Sequence, residues 1–558
     1  MDTREHTTAK MTTGARALVD TLLREGVNHV FGIPGTQNLP FIDVLRDTPR
    51  IRFILTRHEQ GAAFMAYGFA RASGGPAVVT ATEGPGVTNL ATAIAAAYRG
   101  FVPVISVTGV QESWVRERDA SQDMDQTTFF RPITKWAYSV PNAAKVQEAM
   151  RKAFRVALAE PQGPTHVEAS SEILLEKTAT EPIEPAAYRN TVLPTCGGEQ
   201  LDEAFALLSR AERPVFLVGR GVLSENATNA MVELAERTQI PVATLQYVPD
   251  AFPATHPLAI GPLGRNGWGS ANRTVPKADV VIAIGAHLDV FSTLFKYGIF
   301  SQEAKLVHHS AAPGQIGIVF PVALGVTGST LSFITGLSAR AARAGPRRQW
   351  IDVAKVRAEW EAEQLAAVRD DAEPLQPQFV AHMIRKVLPR NGLLVADAGN
   401  ACKHVRSYFK SYEPGTFIFI DDWGSVGGAL PIGLGAKLAR PDRPVLCAAG
   451  DMGAMCNIGE LETAVREKIP VVMVVFNDQG LGNEKAFQQE HYGGRFYAVD
   501  YQNPDFGALA RVFGAHGEQV RQPSELEGAL HRAFDSGKPA VIDVIIDQNT
   551  LAPVVYKP

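Results

Sequence analysis

The chain has 558 residues, 46% hydrophobic and 20% charged, which suffices for several ordinary cores and, by length alone, about three or four domains. Lys and Arg total 54 against 58 Asp and Glu, and the formal charge of -4 gives no overall field for collecting nucleic acid or an anionic membrane, so the expected partner is a small molecule. The N-terminal MDTREHTTAKMTTGARAL lacks an apolar leader core, no stretch offers about 18 uninterrupted apolar residues, and Cys196, Cys402, Cys447 and Cys456 form no CxxC pair, which together predict a cytoplasmic protein without a disulfide framework.

In chain order, NHVFGIPG, RFILT, a helix from His58 to Ala72, PAVVTATEGPG, an Ala-rich helix from Asn89 to Tyr98 and VPVISVTG alternate β-branched runs with helical segments. Strand, Gly-rich turn and helix in that repeated order predict a parallel sheet. A polar, Pro-containing stretch near 176–199 interrupts the rhythm, which resumes with RPVFLVGRG, IPVATLQ, ADVVIAIGA and AKLVHHSAA. After the charged segment 339–377 it returns again as GLLVADAGN, GTFIFIDD, RPVLCAAGDMG, IPVVMVVFNDQG and PAVIDVIID. The expectation is an α/β protein of three doubly wound parallel-sheet domains over residues 1–180, 198–345 and 372–550, with ligands at the strand ends.

The Gly-rich strand ends carry the candidate chemistry. In GDMGAMCNIGELETAV a strand ends at Gly450 and a helix opens at once, which aims backbone N–H groups at an anion such as a phosphate. Asp451 stands at that strand end, and the next strand ends in Asn477, Asp478, Gln479 and Gly480. Adjacent parallel strands bring Asp451 and Asp478 together. Two carboxylates beside a phosphate-binding turn suit Mg²⁺, which takes hard oxygen ligands together with substrate phosphates. Taken singly, each aspartate reads as a helix cap or a turn residue; their joint spacing favours the metal site.

GDMG followed, 26 positions after Asp451, by Asn477-Asp478 resembles the GDG…NN thiamine-diphosphate motif of acetohydroxyacid (acetolactate) synthases, pyruvate oxidases and 2-oxoacid decarboxylases. TRHEQGAAFMAYGFAR, TATEGPGVTNLATAIAAAY, HPLAIGPLGRNG and WGSVGGALPIGLGAK extend the resemblance over about Thr13 to Asp547. It implies a thiamine-diphosphate-binding fold with pyrimidine, Rossmann-like middle and diphosphate domains, and a homodimer or homotetramer with active sites at subunit interfaces. By the same resemblance Asp451, Asp478 and the Gly480 carbonyl hold the metal. Asn400, Gly450, Met452 and Gly453 contact the diphosphate, with Met452 in place of the second Gly of GDG and Asp478 in place of the usual second Asn. Glu59 matches the catalytic glutamate that hydrogen-bonds the cofactor's pyrimidine ring and so promotes proton removal from C2 of its thiazolium ring. Val426 occupies the position that props the bent cofactor, and the Gly424 carbonyl accepts from its amino group.

The substrate end is less defined. Thr36, Gln37 and Asn38 follow the GIPG turn, Gln122 resembles the Gln of the synthase FQE segment, and Phe487 lies where synthases place a specificity-setting Trp. The loop VQESWVRERDASQDMDQ holds no adjacent histidines of the kind seen in simple aldehyde-forming decarboxylases, and His308-His309 is read as structural. The middle domain shows Gly285-Ala286-His287 and Ser310-Ala311-Ala312 where flavin-binding synthases carry an Arg and acids, so FAD is not expected to be required, and FAD or ADP occupancy there stays open. The leading expectation is a 2-oxoacid decarboxylase or carboligase resembling acetolactate synthase. A lyase or acyltransferase acting on an acyl-CoA or a sulfonated aldehyde is the alternative, and a nucleotide-binding oxidoreductase is disfavoured because no GxGxxG-plus-acid fingerprint follows a strand.

Overall fold

The computed structural model describes residues 10–190, 192–295, 297–345, 347–420 and 423–553; the first nine residues of the N-terminal segment read above lie outside it. The chain divides into two compact units, one of residues 1–192, 420–441 and 456–470, the other of 193–419, 442–455 and 471–558.

The first unit is built on a six-stranded sheet whose strands, in chain order, are His29–Gly32, Arg52–Leu55, Ala77–Ala81, Val104–Val110, Trp136–Ser139 and Thr165–Ser170. They are all parallel and lie in the spatial order 2-1-3-4-6-5. Ala77–Ala81 and Val104–Val110 are buried along their whole length, as expected of central parallel strands covered on both faces. Helix Glu59–Ser73 starts at the His58 cap, whose Nδ1 accepts from the Gln60 N–H, and stops at Gly74, whose φ of +74° suits glycine. Helix Ala429–Ala439 crosses it so closely that a Cβ on Gly68 would stand 2.0 Å from the Ile432 carbonyl oxygen, and one on Gly435 1.9 Å from that of Met65. The glycines of AYGFAR and GLGAK are therefore spacers for a backbone-to-backbone helix contact.

The second unit contains two further six-stranded parallel sheets. Pro214–Val218, Val242–Leu245, Ala259–Leu263, Val280–Ile284, Lys305–Ser310 and Leu324–Thr327 lie in the order 3-2-1-4-5-6, the dinucleotide-binding arrangement. Leu393–Ala396, Phe417–Phe419, Val445–Gly450, Val472–Asn477, His516–Val520 and Ala540–Ile545 repeat the 2-1-3-4-6-5 order of the first unit. Separate apolar cores, around Phe216, Ile282 and Phe333 in one sheet and Val380, Val474 and Ile542 in the other, stabilise them. The expectation of three parallel α/β sheets is met. In both 2-1-3-4-6-5 sheets the strand order reverses between the first and third strands, and the carboxyl ends beside that point are where such folds bind ligands.

Candidate functional site

In the second unit the reversal lies between Leu393–Ala396 and Val445–Gly450. Asn400 opens helix Asn400–Tyr408 directly after Gly399, whose φ of +100° only glycine adopts easily. Strand Val445–Gly450 pairs with Val472–Asn477 so that Gly450 sits opposite Phe476, which lets Asp451 and Asp478 leave neighbouring strands at nearly the same level. A Cβ on Gly482 would stand 2.8 Å from Asp478 Oδ2 and 3.0 Å from Asn400 Nδ2, so these residues line one cradle that glycine keeps open. Asn400 is anchored through its Oδ1, which accepts from the Ala552 N–H at 2.8 Å.

Asp451 is buried and well held. Its Oδ1 accepts from the Met452 N–H at 2.7 Å and the Tyr501 hydroxyl at 2.8 Å, and its Oδ2 accepts from the Asn503 amide at 2.7 Å. The Tyr501 hydroxyl also lies 3.0 Å from the Gly480 carbonyl oxygen, and its single proton serves one acceptor at a time. Burial raises the Asp451 carboxyl above its ordinary range and, together with the neighbouring Asp451 charge, pushes Asp478 up to about 7, with Lys485 opposing. Two desolvated carboxylates and a carbonyl oxygen, Asp451 and Gly480 sharing the Tyr501 phenol, are a donor set suited to a hard divalent cation, which would relieve the repulsion between the carboxylates.

In the first unit Glu59 is the first residue of its helix, with its Oε2 accepting from the Asn89 amide at 2.9 Å and its Oε1 3.4 Å from where a Cβ on Gly86 would stand. Its approach is fixed by a residue the sequence reading passed over. Buried Glu460 accepts from the Arg57 N–H at 3.1 Å, the His58 N–H at 3.0 Å and the Thr463 hydroxyl at 2.7 Å. A Cβ on Gly61 would strike that carboxylate at 2.2 Å, which accounts for the glycine two positions after Glu59.

Family models for the thiamine pyrophosphate enzyme match residues 12–129 (N-terminal TPP binding domain), 201–337 (central domain) and 397–544 (C-terminal TPP binding domain). A probable acetolactate synthase large subunit of Methanocaldococcus jannaschii is 34% identical, with 97% of this chain and 93% of that protein aligned. A sulfoacetaldehyde acetyltransferase of Alcaligenes xylosoxydans xylosoxydans is also 34% identical, over 96% and 93%, and the acetolactate synthase isozyme 1 large subunit of Escherichia coli is 31% identical, over 97% and 95%. The chain belongs to the thiamine pyrophosphate enzyme family.

As a thiamine-diphosphate-dependent enzyme, it distributes the remaining candidate residues unevenly. Val426 is 40% exposed and so is not a core residue, while Gly424 just before it takes a φ of +76°. Met452 is exposed and Gly453 buried in the short helix Asp451–Cys456. Gln37 accepts from the Thr82 hydroxyl at 2.7 Å, Thr36 is exposed, and Asn38 is buried with its amide on the Ile33 carbonyl and the Thr80 hydroxyl, which makes Asn38 a turn-builder. Gln122 is exposed at a φ of +73°, and its backbone covers Gly84 so closely that a Cβ there would meet its carbonyl oxygen at 2.6 Å. Phe487, on helix Gly482–His491, is half-buried with the Lys403 ammonium 6.0 Å from its ring centre. His308 and His309 are spent on the fold, their Nε2 atoms donating to the Ala286 and Gly328 carbonyls and their Nδ1 atoms accepting from the Gly317 and Gly285 N–H groups.

Glu83 was also missed. In TATEGPG it is 1% exposed and neither carboxyl oxygen has a hydrogen-bond partner; burial first, then the charges of Asp123 and Glu112, push it up to about 7. Its folded value exceeds its unfolded value, so the native state holds the extra proton and loses stability as pH rises from about 4.5 through about 7. Glu83→Gln removes that loss, which amounts to at most about 3 kcal/mol. The thermal midpoint of Glu83→Gln is expected to pull ahead of the parent as pH rises from about 4.5 to about 7 and to keep a constant lead above that; curves that stay parallel across the range contradict the assignment.

Proposed function

We propose that the enzyme is a Mg²⁺-dependent 2-oxoacid decarboxylase or carboligase of the acetolactate synthase kind, cytoplasmic, and a homodimer or homotetramer with its active sites at subunit interfaces. The observation that carries the metal part is the cluster of Asp451, Asp478 and the Gly480 carbonyl beside Asn400 at the sheet's reversal point. In this reading those three would supply oxygens to the metal, Asn400 and residues Gly450–Gly453 would hold the diphosphate, and Val426 and the Gly424 carbonyl would contact the cofactor's rings. Glu59 exchanges a proton with the pyrimidine end, steadied by Asn89. Bound thiamine diphosphate supplies an electron sink next to a carbonyl carbon.

The substrate assignment is supported by the full-length likeness to acetolactate synthase large subunits and by the segment over Gly84, which brings Gln122 and no histidine. A second reading, acetyl transfer involving a sulfonated aldehyde, is favoured by the equally similar sulfoacetaldehyde acetyltransferase. Purified enzyme with thiamine diphosphate and Mg²⁺ is offered pyruvate alone, pyruvate with a second 2-oxoacid, and sulfoacetaldehyde together with inorganic phosphate as acetyl acceptor. CO₂ release with a hydroxy-oxoacid product supports the first reading; consumption of the sulfonated aldehyde alone replaces it with the second.

Flavin is expected to be dispensable. The central sheet has the dinucleotide order, but Gly285-Ala286-His287 and Ser310-Ala311-Ala312 at its strand ends supply neither an Arg for a phosphate nor an acid for a ribose. Activity measured after exhaustive dialysis is expected to be the same with and without added FAD. A yellow protein whose turnover disappears with its flavin refutes this.

A further inference from the structure

The second unit contains a cavity of about 550 Å³ that shares no lining residue with the cluster around Asp451, and its size is that of a small-molecule site. Helix Asn400–Tyr408 separates the two, Asn400 lying at its diphosphate end and Ser407 and Tyr408 lining the cavity at the other, about 12 Å away for nine residues.

The walls are unbalanced in charge. Arg385, Lys386, Arg390 and Lys410 line the cavity with Glu361 as the one acid among its lining residues. Glu361 is already engaged, 2.8 Å from the Lys410 ammonium and 3.8 Å from Arg357. Lys386 pairs outward with Glu527 at 2.8 Å. Among the described residues that leaves Arg385 and Arg390 without a carboxylate, and both guanidinium groups sit against Tyr412, 4.6 Å and 4.5 Å from its ring centre. Two like charges sharing one ring are held together against their repulsion.

Two buried donors in the same walls are also unused. Arg385 is 8% exposed, and although its terminal nitrogens donate to the carbonyls of Leu388, Pro389 and Lys410, its Nε has no partner. Trp268 is 2% exposed and its indole N–H has none either. An acceptor-rich anion is the chemistry that answers the excess charge of these walls. The other walls are flat and aromatic: Trp360, Tyr408 and Tyr412.

We propose that this cavity is a second ligand site, separate from the thiamine diphosphate site, that binds a nucleoside phosphate. Its phosphate lies against Arg385 and Arg390 and its base against the Trp360 and Tyr408 rings. The probe is ADP, titrated calorimetrically into full-length enzyme already saturated with thiamine diphosphate and Mg²⁺, so that the diphosphate cradle is filled. One ADP per chain is expected to bind, more tightly than either inorganic pyrophosphate or adenosine. Arg390→Ala, which removes an exposed side chain, is expected to weaken ADP at least about 10-fold, and Trp360→Leu about 5- to 10-fold. Absence of ADP binding overturns the proposal. So does ADP binding unchanged in both variants, which places the nucleotide elsewhere. Weakening in Arg390→Ala with Trp360→Leu unaffected overturns the nucleoside part, because the aromatic wall then contributes nothing.

Discussion

If the proposed metal site is right, Asp451→Ala and Asp478→Ala are each expected to lose Mg²⁺ and thiamine diphosphate together, weakening cofactor binding by more than about 100-fold. Groups that only support a metal ligand typically cost about 10- to 100-fold when removed, so loss of a ligand lies beyond that range. The two aspartates sit on adjacent strand ends, Asp451 buried and Asp478 half-buried, with Asp478 pushed up to about 7 by burial and by the Asp451 charge. Removing Asp478 relieves that repulsion in the cofactor-free protein, so apo Asp478→Ala is expected to fold with a thermal midpoint no lower than the parent's, whereas Asp451→Ala also strands the Met452, Tyr501 and Asn503 donors. In Asp478→Ala stability and cofactor retention therefore separate, which a merely structural role would not produce. Asp478→Asn keeps an oxygen at the position and is expected to stay within about 10-fold of the parent. Equilibrium dialysis with thiamine diphosphate and Mg²⁺ decides the matter: full retention by both alanine variants removes the two aspartates from the metal.

How much of this was readable in the sequence depends on whether a residue's task is set by its neighbours in the chain. The apolar, β-branched runs VVIAI and VMVVFN announce central parallel strands, and the alternation with helices announces the sheet type. Edge and polar strands did not announce themselves. THVEAS carries buried His166 and Glu168, which bond to Ser106 on the neighbouring strand and to Gln126 at a helix start, and HGEQV and LGVT are short edge strands of mixed composition. The same division holds at the site. Asp451 and Asp478 follow from strand ends and turns, whereas Tyr501 and Asn503 reach Asp451 from about 50 residues away and carry no local signature. Glu460 is hidden for the same reason, since its partners Arg57 and His58 are more than 400 positions earlier in the chain. Spatial strand order is equally illegible: that the first and third sheets share 2-1-3-4-6-5 while the middle one runs 3-2-1-4-5-6 is settled by register, which composition does not encode.

Glu59→Gln is expected to keep thiamine diphosphate yet lose about 10²- to 10⁴-fold in turnover, the usual range for removing a general acid–base group. Cofactor retention rests on Asp451, Asp478 and Asn400 in the proposed function, and Glu59 belongs to neither the metal nor the diphosphate end. The substitution is nearly isosteric, so the helix start capped by His58 and the Arg57-His58 turn held by Glu460 remain as they are. Asn89 still has a carbonyl oxygen to donate to, so the local hydrogen bond at 2.9 Å survives in the amide. What the amide cannot do is accept and return a proton, and that is the capacity the pyrimidine end requires. A structural role for Glu59 would lower stability and cofactor affinity along with turnover; a proton-exchanging role lowers turnover alone. The discriminating measurement is proton–deuterium exchange at C2 of the bound cofactor, followed by quenching and NMR. Exchange in Glu59→Gln as fast as in the parent assigns cofactor activation to another group, whereas exchange slowed in step with turnover ties the loss to the carboxylate that Asn89 steadies.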